Sequence, residues 1–233
     1  MENSAPQKIL TIDIGGSHIK AGVLNENAVL ISEYKRVPTP VPAIPESVVA
    51  AIGQLVAGLD YEKVSVGFPG YVRDGVVRTA PNLGTAEWQG VNLTEQLSQI
   101  LQKPVKVVND ADLQGLGLVK GKGLEMAITL GTGVGTALLL NGNLLPHFEI
   151  SHHPITKRKD YDQYIGEKVL EEIGTKKWNE RVERVLQVLA TVFNYDHLYI
   201  SGGNAKKITF PLAENITIDS NKEGMKGGVR LWL

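Results

Sequence analysis

Cysteine is absent from this sequence of 233 residues, which excludes structural disulfides, thiolate zinc sites and thiol-based catalysis. Any metal ion would have to be bound by His, Asp, Glu or water. An excess of charge is also absent, because 24 Lys and Arg nearly balance 25 Asp and Glu, so no overall field would attract nucleic acid or an anionic membrane. No run of about 18 apolar residues occurs, and the first residues carry no basic segment followed by an apolar one. We therefore expect a cytoplasmic protein without nucleic-acid or membrane partners.

The residues that are present have the composition of a globular protein of one or two domains, with 42% hydrophobic residues and 25 Gly. From Lys8 to Ile31, β-rich stretches alternate with turn residues, in the order KILTIDI, Gly15-Gly16, IKAGVL, Asn25-Glu26-Asn27 and AVLISEY. This alternation predicts a three-stranded antiparallel meander at the start of the chain.

Helical and strand patterns follow the meander. Apolar residues at helical spacing predict helices in PESVVAAIGQLVAGL, in Asn92 to Leu101, in Tyr161 to Glu172 and in Trp178 to Phe193. KVSVGFPG, VKVVN and HLYISGG read as strands, and the uninterrupted apolar run in VKVVN is typical of a buried parallel strand. We expect a closing helix over Lys222 to Leu233.

The N-terminal meander is repeated in the middle of the chain. EMAITLGTGVGTALLLNGNLLPH matches it at a constant offset of 116 residues, so that Gly15 aligns with Gly131 and Asn25 with Asn141. Either the chain contains two duplicated units or two unrelated hairpins share a bias for apolar residues, Asn and Gly. The matched Gly turns favour duplication. We accordingly expect a small α/β domain over residues 1–108, completed by the helix of residues 222–233, and a larger α/β domain over residues 109–221.

The two repeated hairpins each carry a Gly-rich turn, in Asp13-Ile14-Gly15-Gly16-Ser17 and in Gly131-Thr132-Gly133. Glycines let backbone N–H groups approach a phosphate, the Ser17 hydroxyl adds a donor, and Asp13 could bind a hydrated Mg²⁺. The alternative for the first turn is an ordinary hairpin with an Asp beside it. A Rossmann turn is excluded because a strand, and not a helix, follows each Gly-rich turn.

Asp110 follows the buried strand VKVVN, so it is expected at the carboxyl edge of a sheet, where α/β folds bind ligands. A carboxylate there could act as a general base towards a hydroxyl that attacks phosphorus, with Asn109 bonded to the same substrate. The alternative is that Asp110 or Asp112 only caps the next helix, and Asp112 is the better candidate for that role.

Two further groups of polar residues have open interpretations. His147, Glu149, His152 and His153 form a metal site or make polar substrate contacts, and the absence of a helical His pair favours the substrate contacts. The turn Gly202-Gly203-Asn204 could accept the base or ribose of a nucleotide. The basic groups Lys157-Arg158-Lys159, Lys176-Lys177 and Lys206-Lys207 are solvated surface unless the substrate is a polyanion.

The segments DIGGSHIK, GFPG, TAPNL, VVNDAD, LGTGVG, EISH and ISGGN resemble, in this order, the motifs of the ROK family of sugar kinases. Within that family the chain looks closest to the polyphosphate glucokinases, on VVRTAPNLG, PVKVVNDADLQGLG and KKWNERVERVL. The resemblance implies an actin-like, ribonuclease-H-like fold of two duplicated α/β domains with an active site in the cleft between them.

The resemblance also implies roles for individual residues. Asp110 would be the catalytic base, and the sugar hydroxyls would be bound by Asn82, Asn109, Glu149 and His152. Phosphate and nucleotide would be bound by Asp13, Gly15, Gly16, Ser17, Lys20, Gly131, Thr132, Gly133, Gly202, Gly203 and Asn204, with Asp13 holding Mg²⁺ through water. No structural zinc is expected, since the Cys-rich motif of larger ROK proteins is absent. The family motif Glu-x-Gly-His reads Glu149-Ile150-Ser151-His152 here, which puts a side chain at the glycine position.

We therefore expect a kinase that phosphorylates the 6-hydroxyl of glucose or a related hexose, with polyphosphate as donor and ATP as a possible second donor. One alternative is a weakly active or inactive sugar-binding or sugar-sensing protein on the same fold. Another is a hydrolase with paired carboxylates such as Asp110 and Glu149, which leaves both Gly-rich turns unexplained. The identity of the hexose and the formation of a homodimer are left open.

Overall fold

A computed structural model of the protein describes residues 7–219 and 225–233, and it divides the chain into two compact units. Among the described residues, the first unit comprises residues 7–117 and 225–233, and the second comprises residues 118–219. The boundary expected from the sequence falls after residue 108 instead. Residues 109–117 belong to the first unit because Leu113 packs close to Gly67 of that unit's sheet.

The first unit is built on a five-stranded mixed sheet. The strands of this sheet are β1 (Ile9–Ile14), β2 (His18–Leu24), β3 (Lys35–Pro38), β4 (Lys63–Phe68) and β7 (Val105–Asn109). Between β4 and β7, the strands β5 (Val72–Arg73) and β6 (Val76–Val77) form a separate hairpin. The sheet order is β3-β2-β1-β4-β7, with β1, β4 and β7 parallel to one another and β2 antiparallel to both of its neighbours. The carboxyl ends of the three parallel strands therefore lie at one edge.

The second unit has a sheet of the same design. Its strands are β8 (Leu124–Leu130), β9 (Val134–Leu140), β10 (Asn143–Leu144), β11 (His197–Ser201) and β12 (Ile216–Ile218). The order β10-β9-β8-β11-β12 repeats that of the first sheet, again with a leading antiparallel hairpin and three parallel strands. The duplication predicted from the repeated hairpins agrees with this shared order, and the α/β fold class is confirmed.

Helices complete both units. The first unit contains α1 (Pro45–Leu55), α2 (Thr85–Trp88), α3 (Leu93–Leu101) and α4 (Asp110–Leu118), which ends at the unit boundary, and the second contains α5 (Asp162–Ile165) and α6 (Glu167–Phe193). A last helix, α7 (Gly227–Arg230), belongs to the first unit. Short 3-10 turns cover Ile150–His152 and Ala205–Lys207. Among the described residues, no helix has both the length and the apolar character needed to cross a membrane.

Each unit has its own apolar core with a completely buried tryptophan. In the first core the ring centroids of Trp88 and Phe68 lie 4.8 Å apart. In the second core the indole N–H of Trp178 donates to the carbonyl of Ile165 at 2.7 Å, which satisfies its polar atom inside the core. The separate cores explain why the chain divides into two compact units.

Two local predictions differ from the structure. The third strand of the meander begins at Lys35 and not at Ala28, because residues 25–29 form a turn in which Asn25 accepts the N–H of Val29, and the following apolar residues are exposed. The helix predicted over Tyr161 to Glu172 is divided at Gly166 into α5 and the start of α6. The helix predicted over Trp178 to Phe193 is the later part of α6, which follows a kink at Gly174, whose φ of 75° favours glycine.

The C-terminal residues pack against the first sheet. Of the helix expected over Lys222 to Leu233, the described residues include α7. The expected start at Lys222 lies outside the described residues. The hydroxyl of Ser65 donates to the carbonyl of Gly228 at 2.6 Å and accepts the indole N–H of Trp232 at 2.9 Å. The ammonium of Lys106 lies 4.6 Å from the centroid of the Trp232 ring. These contacts make α7 part of the first unit.

Close packing of α7 predicts that Gly227→Ala destabilises the protein. A Cβ at Gly227 would overlap the carbonyl oxygen of Leu113 in α4, so α7 must shift, which typically costs about 1–3 kcal/mol. Thermal unfolding followed by circular dichroism should show a midpoint several degrees lower. Gly53→Ala in α1 is the matched control, because the new Cβ would meet only the exposed Ile100 side chain and alanine favours a helix. An unchanged midpoint for Gly227→Ala would contradict the packing described for α7.

Candidate active site

Polar residues of the first unit collect at the carboxyl ends of its three parallel strands. Asp13 of β1 pairs in register with Gly67 of β4, and Phe68 of β4 pairs with Asn109 of β7. Asp110 follows directly as the first residue of α4. Parallel register therefore brings Asp13 and the Asn109-Asp110 pair to the same sheet edge, as the sequence predicted for Asp110.

Lys20 adds a positive charge to this edge. Its ammonium lies 3.0 Å from Oδ2 of Asp13. Attraction by Asp13 raises the pKa of Lys20 above its usual value, although partial burial opposes it, and Asp110 contributes a smaller attraction in the same direction. The two carboxylates and the ammonium thus form one electrostatic group within the first unit, and Lys20 stays protonated at neutral pH.

The first Gly-rich turn is fixed by its own backbone and by Thr39. The N–H of Gly15 donates to the carbonyl of His18 at 2.9 Å, and the Thr39 hydroxyl donates to the Gly15 carbonyl at 2.6 Å. Gly16 and Ser17 are exposed, so they are the residues of this turn that face solvent. A Cβ placed on Gly16 would lie 3.6 Å from Cβ of Asn82, which puts the predicted sugar contact Asn82 next to the turn.

Asn109 caps helix α4, so the prediction that Asp112 is the better cap was wrong. Oδ1 of Asn109 accepts the N–H groups of Ala111 at 2.8 Å and of Asp112 at 3.4 Å. Its Nδ2 donates to the carbonyl of Gly70 at 3.1 Å. The buried amide therefore joins the start of α4 to the loop after β4 and restrains the backbone next to Asp110. The sugar contact expected of Asn109 remains a prediction.

The second unit brings its own two Gly-containing segments together. Strands β8 and β11 are parallel, and Ser201 pairs with Thr129, so the loops that follow them start side by side. Asn204 donates from its backbone to the carbonyl of Leu130 at 2.9 Å and from Nδ2 to the carbonyl of Gly131 at 3.3 Å. Gly202 has a φ of 97°, and a Cβ there would overlap the backbone of Leu130. The sequence predicted both segments but not the bonds between them.

Asp162 is a site residue that sequence reasoning missed. Its Oδ1 accepts the N–H of Val134 at 2.6 Å, which anchors the far side of the Gly131–Gly135 loop, and the carbonyl of Thr132 accepts the N–H of Glu167 at 3.3 Å. Burial raises the pKa of Asp162, although the bond from Val134 and the charge of His152 oppose this. Because Asp162 and Val134 are 28 residues apart, no local pattern could pair them.

The predicted sugar contacts Glu149 and His152 lie in a loop of the same unit. Nδ1 of His152 is 3.7 Å from Oδ2 of Asp160, and Nε2 of His147 is 3.5 Å from Oε1 of Glu149. The neighbouring imidazole of His147 lowers the pKa of Glu149 below its usual value, against the opposing effect of burial. Ser151, at the position of the family's glycine, is buried, and its carbonyl accepts the N–H of Tyr161 at 3.0 Å.

No metal centre is formed by side chains alone in the part of the chain that the structure describes, where no three His, Asp or Glu residues are grouped to hold an ion. A cation bound by the carboxylate of Asp13 at the first sheet edge would take its other ligands from substrate and water. Mg²⁺ is commonly bound in this way, through one or two carboxylates and phosphate oxygens. The donor set of Asp13 therefore fits Mg²⁺.

The predicted basic groups differ in position. Lys206 and Lys207 form the 3-10 turn directly after Asn204, with Lys206 exposed. The three residues of Lys157-Arg158-Lys159 are exposed in the loop that follows His152. Lys176 and Lys177 are exposed on α6, just after its kink. Lys206 and Lys207 are thus the basic pair adjoining the Gly202–Asn204 turn.

Comparisons with known proteins give one consistent result. A model described as the ROK family matches residues 9–149. The polyphosphate glucokinase of Mycobacterium tuberculosis is 34% identical over 219 residues, which cover 88% of this chain and 82% of that protein. The glucokinase of Streptomyces coelicolor is 37% identical over 144 residues, covering 57% of this chain and 44% of that protein. The crystal structure of an inorganic polyphosphate/ATP-glucomannokinase from Arthrobacter sp. strain KM has a TM-score of 0.85 at 30% identity, covering 96% of this chain and 97% of that chain.

The contact between Asp162 and Val134 predicts that Asp162→Ala loosens the Gly131–Gly135 loop. Loss of a hydrogen bond to a charged acceptor should speed amide exchange in this loop by about tenfold or more. Hydrogen–deuterium exchange of peptides covering residues 131–135 measures the effect. Asp162→Asn keeps an acceptor oxygen and should exchange like the original protein. Because burial makes the charged form of Asp162 costly, this variant should not unfold at a lower temperature at neutral pH.

Asp160→Ala is the control for this experiment, since Asp160 lies near His152 and its Oδ1 accepts the N–H of Gln163 instead of one from the Gly131–Gly135 loop. Equal exchange in the Asp162→Ala and Asp160→Ala proteins would show that Asp162 does not anchor the loop.

Proposed function

The chain belongs to the ROK family and is a sugar kinase, and we propose that it transfers a phosphoryl group from polyphosphate or ATP to the 6-hydroxyl of glucose. The observation that carries the proposal is the position of Asp110. Asp110 begins α4 at the carboxyl edge of the first sheet. It attracts the ammonium of Lys20, which also forms an ion pair with Asp13. A carboxylate at this edge can accept a hydroxyl proton, and an ammonium nearby can stabilise phosphate charge.

In the proposed reaction, Asp110 accepts the proton of the 6-hydroxyl as that oxygen forms its bond to the terminal phosphorus of the donor. The bond from this phosphorus to the bridging oxygen breaks, and the shortened polyphosphate or ADP leaves with the electron pair. Asn109 fixes the backbone on which Asp110 sits, through its bonds to Ala111 and Gly70. Lys20 offers its positive charge to phosphate oxygens while its bond to Asp13 limits its movement.

Relatives that are glucokinases imply a divalent cation with the nucleotide, and we propose that it is Mg²⁺. Asp13 would hold this ion through water, using the carboxylate oxygen that does not contact Lys20. When bound, the ion neutralises charge on the phosphate oxygens. The Gly16-Ser17 turn and the Gly131–Gly133 loop would offer N–H and hydroxyl donors to phosphate.

Glucose is the proposed acceptor because the relatives of this chain include a polyphosphate glucokinase and a glucokinase. Glu149 and His152 would bind its hydroxyls, since both side chains are partly exposed and carry acceptors or donors. Asn82 is exposed beside the first turn, and the second Nδ2 hydrogen of Asn109 provides one more donor.

Both donors are proposed because Gly-containing loops that bind phosphate would not by themselves distinguish a nucleotide from a polyphosphate. The names of two relatives include polyphosphate, and one of these also includes ATP. A long polyanion needs cationic groups beyond the transferred phosphate. Lys206 and Lys207 would meet this need because the 3-10 turn that contains them, Ala205–Lys207, follows Asn204 directly.

Asp110→Asn tests the proposed base. We expect it to retain the fold and glucose binding and to lose phosphoryl transfer by at least about a hundredfold, the low end for removal of a general base. A coupled assay that detects glucose 6-phosphate measures turnover with each donor. Calorimetry measures glucose binding. Turnover close to that of the unmodified protein would refute the role of Asp110. A protein that binds glucose but has no activity even before mutation would instead be a sugar-binding protein on this fold.

Lys206→Ala/Lys207→Ala tests the donor proposal. We expect a selective rise in the KM for polyphosphate, with the KM for ATP less affected, because a longer anion makes more ionic contacts. Added salt should likewise weaken polyphosphate binding more than ATP binding. Lys120→Ala/Lys122→Ala is the matched control, since these exposed residues precede β8, at the opposite end of that strand from the Gly131 loop. An equal effect of both double variants would contradict the selective role, and no transfer from polyphosphate would leave ATP as the donor.

A further inference from the structure

We propose that His147 is a positioning residue, which holds the carboxylate of Glu149 charged and in a fixed orientation for binding sugar hydroxyls. The inference rests on the sugar-binding role proposed for Glu149. It adds a residue that does not itself contact the sugar.

The side chains of His147 and Glu149 differ in their exposure to solvent. The side chain of His147 is only 6% exposed, whereas that of Glu149 is 36% exposed, and Nε2 of His147 lies 3.5 Å from Oε1 of Glu149. One carboxylate oxygen therefore faces a buried imidazole. The remaining acceptor positions of Glu149 stay available to a ligand.

The backbone between the two residues is held in place. The carbonyl of Phe148 accepts the N–H of Ile150 at 2.9 Å and the hydroxyl of Thr136, on β9, at 3.2 Å. The ring of Phe148 itself is exposed. These two bonds restrain the backbone of the residue that joins His147 to Glu149.

The charges around Glu149 explain why a buried partner is needed. His152, in the same loop, attracts Glu149, whereas Asp162 of α5 repels it, and Asp160 lies next to His152. Burial alone would raise the pKa of Glu149. The imidazole of His147, 3.5 Å away, is the largest cause that lowers this pKa instead.

A charged and oriented carboxylate binds a sugar better than a protonated or mobile one. Hydrogen bonds from hydroxyl groups to a carboxylate are roughly twice as strong as those to a neutral acceptor. Since the pKa of Glu149 is lowered, its carboxylate remains charged to lower pH than usual. Sugar binding that depends on this charge should be lost only as the pH falls through the lowered pKa.

His147→Phe removes the imidazole and keeps an aromatic ring of similar size, and it is the main test. We expect the KM for glucose to rise by about tenfold, as for loss of one interaction with a charged group. The KM for the donor should stay unchanged, and kcat should change less than the KM for glucose. The acid limb of kcat/KM for glucose should move to higher pH, because burial of Glu149 is no longer opposed by His147.

Two further variants separate positioning from general packing. His147→Gln retains an N–H donor and should restore most of the glucose affinity. His197→Phe is the matched control, because His197 begins β11 and bonds to Thr217, at the opposite end of the strand from the Gly202 turn. It should leave the KM for glucose and the pH profile as they were.

The inference is overturned if folded His147→Phe has the glucose KM and acid limb of the original protein, or if only the KM for the donor changes. Should His147→Phe fail to fold, calorimetry of glucose binding to the original protein decides. Loss of binding centred at or above the ordinary glutamate pKa of about 4.3 would then refute the inference. If the original protein neither binds nor phosphorylates glucose with polyphosphate or ATP, it is the proposed function that fails, and this inference with it.

Discussion

Parallel pairing of the central strands is the constraint on which both candidate sites depend. A parallel ladder fixes the register of neighbouring strands, so that residues after one strand end lie beside residues after the next. In the first unit this register places Asp13 near Asn109 and Asp110, and in the second it places the Gly131 loop beside the Gly202 turn. A strand shifted by one residue would also turn its buried side chains to the other face, so the apolar cores enforce the same register.

Buried amide side chains then hold the loops that leave these strands. Asn109 bonds to the start of α4 and to Gly70, and Asn204 bonds to the carbonyl of Gly131. Each of these residues lies next to one expected to contact a substrate. An unsatisfied amide would be costly when buried, which makes these bonds effective restraints on loop geometry. The same residue can therefore shape a loop and lie at the edge of a binding site.

Paired charges at partly exposed positions prepare the proposed chemistry. Lys20 forms an ion pair with Asp13 in the first unit, and Glu149 has a buried imidazole beside it in the second. In both cases a neighbour of opposite charge or a hydrogen-bond donor keeps the group ionised despite partial burial. Membership of a family of sugar kinases agrees with this arrangement, because phosphoryl transfer depends mainly on positioning and on electrostatic stabilisation.

Local patterns in the sequence predicted much of the fold and the sheet edge at which Asp110 lies. Strand alternation and the repeated Gly turns indicated two related sheets, and the apolar run before Asp110 indicated its place at a sheet edge. The motifs also predicted the family of sugar kinases, which the comparisons confirm. These features are readable because hydrophobic period and turn chemistry act over a few residues.

Only the tertiary structure decided which side chains meet. The third strand begins at Lys35, Asn109 and not Asp112 caps α4, and Asp162 anchors a loop 28 residues away in sequence. His147 is buried next to a more exposed Glu149, although both belong to one polar segment. Burial and long-range bonds arise from packing between elements far apart in the chain, so a sequence pattern of a few residues does not contain them.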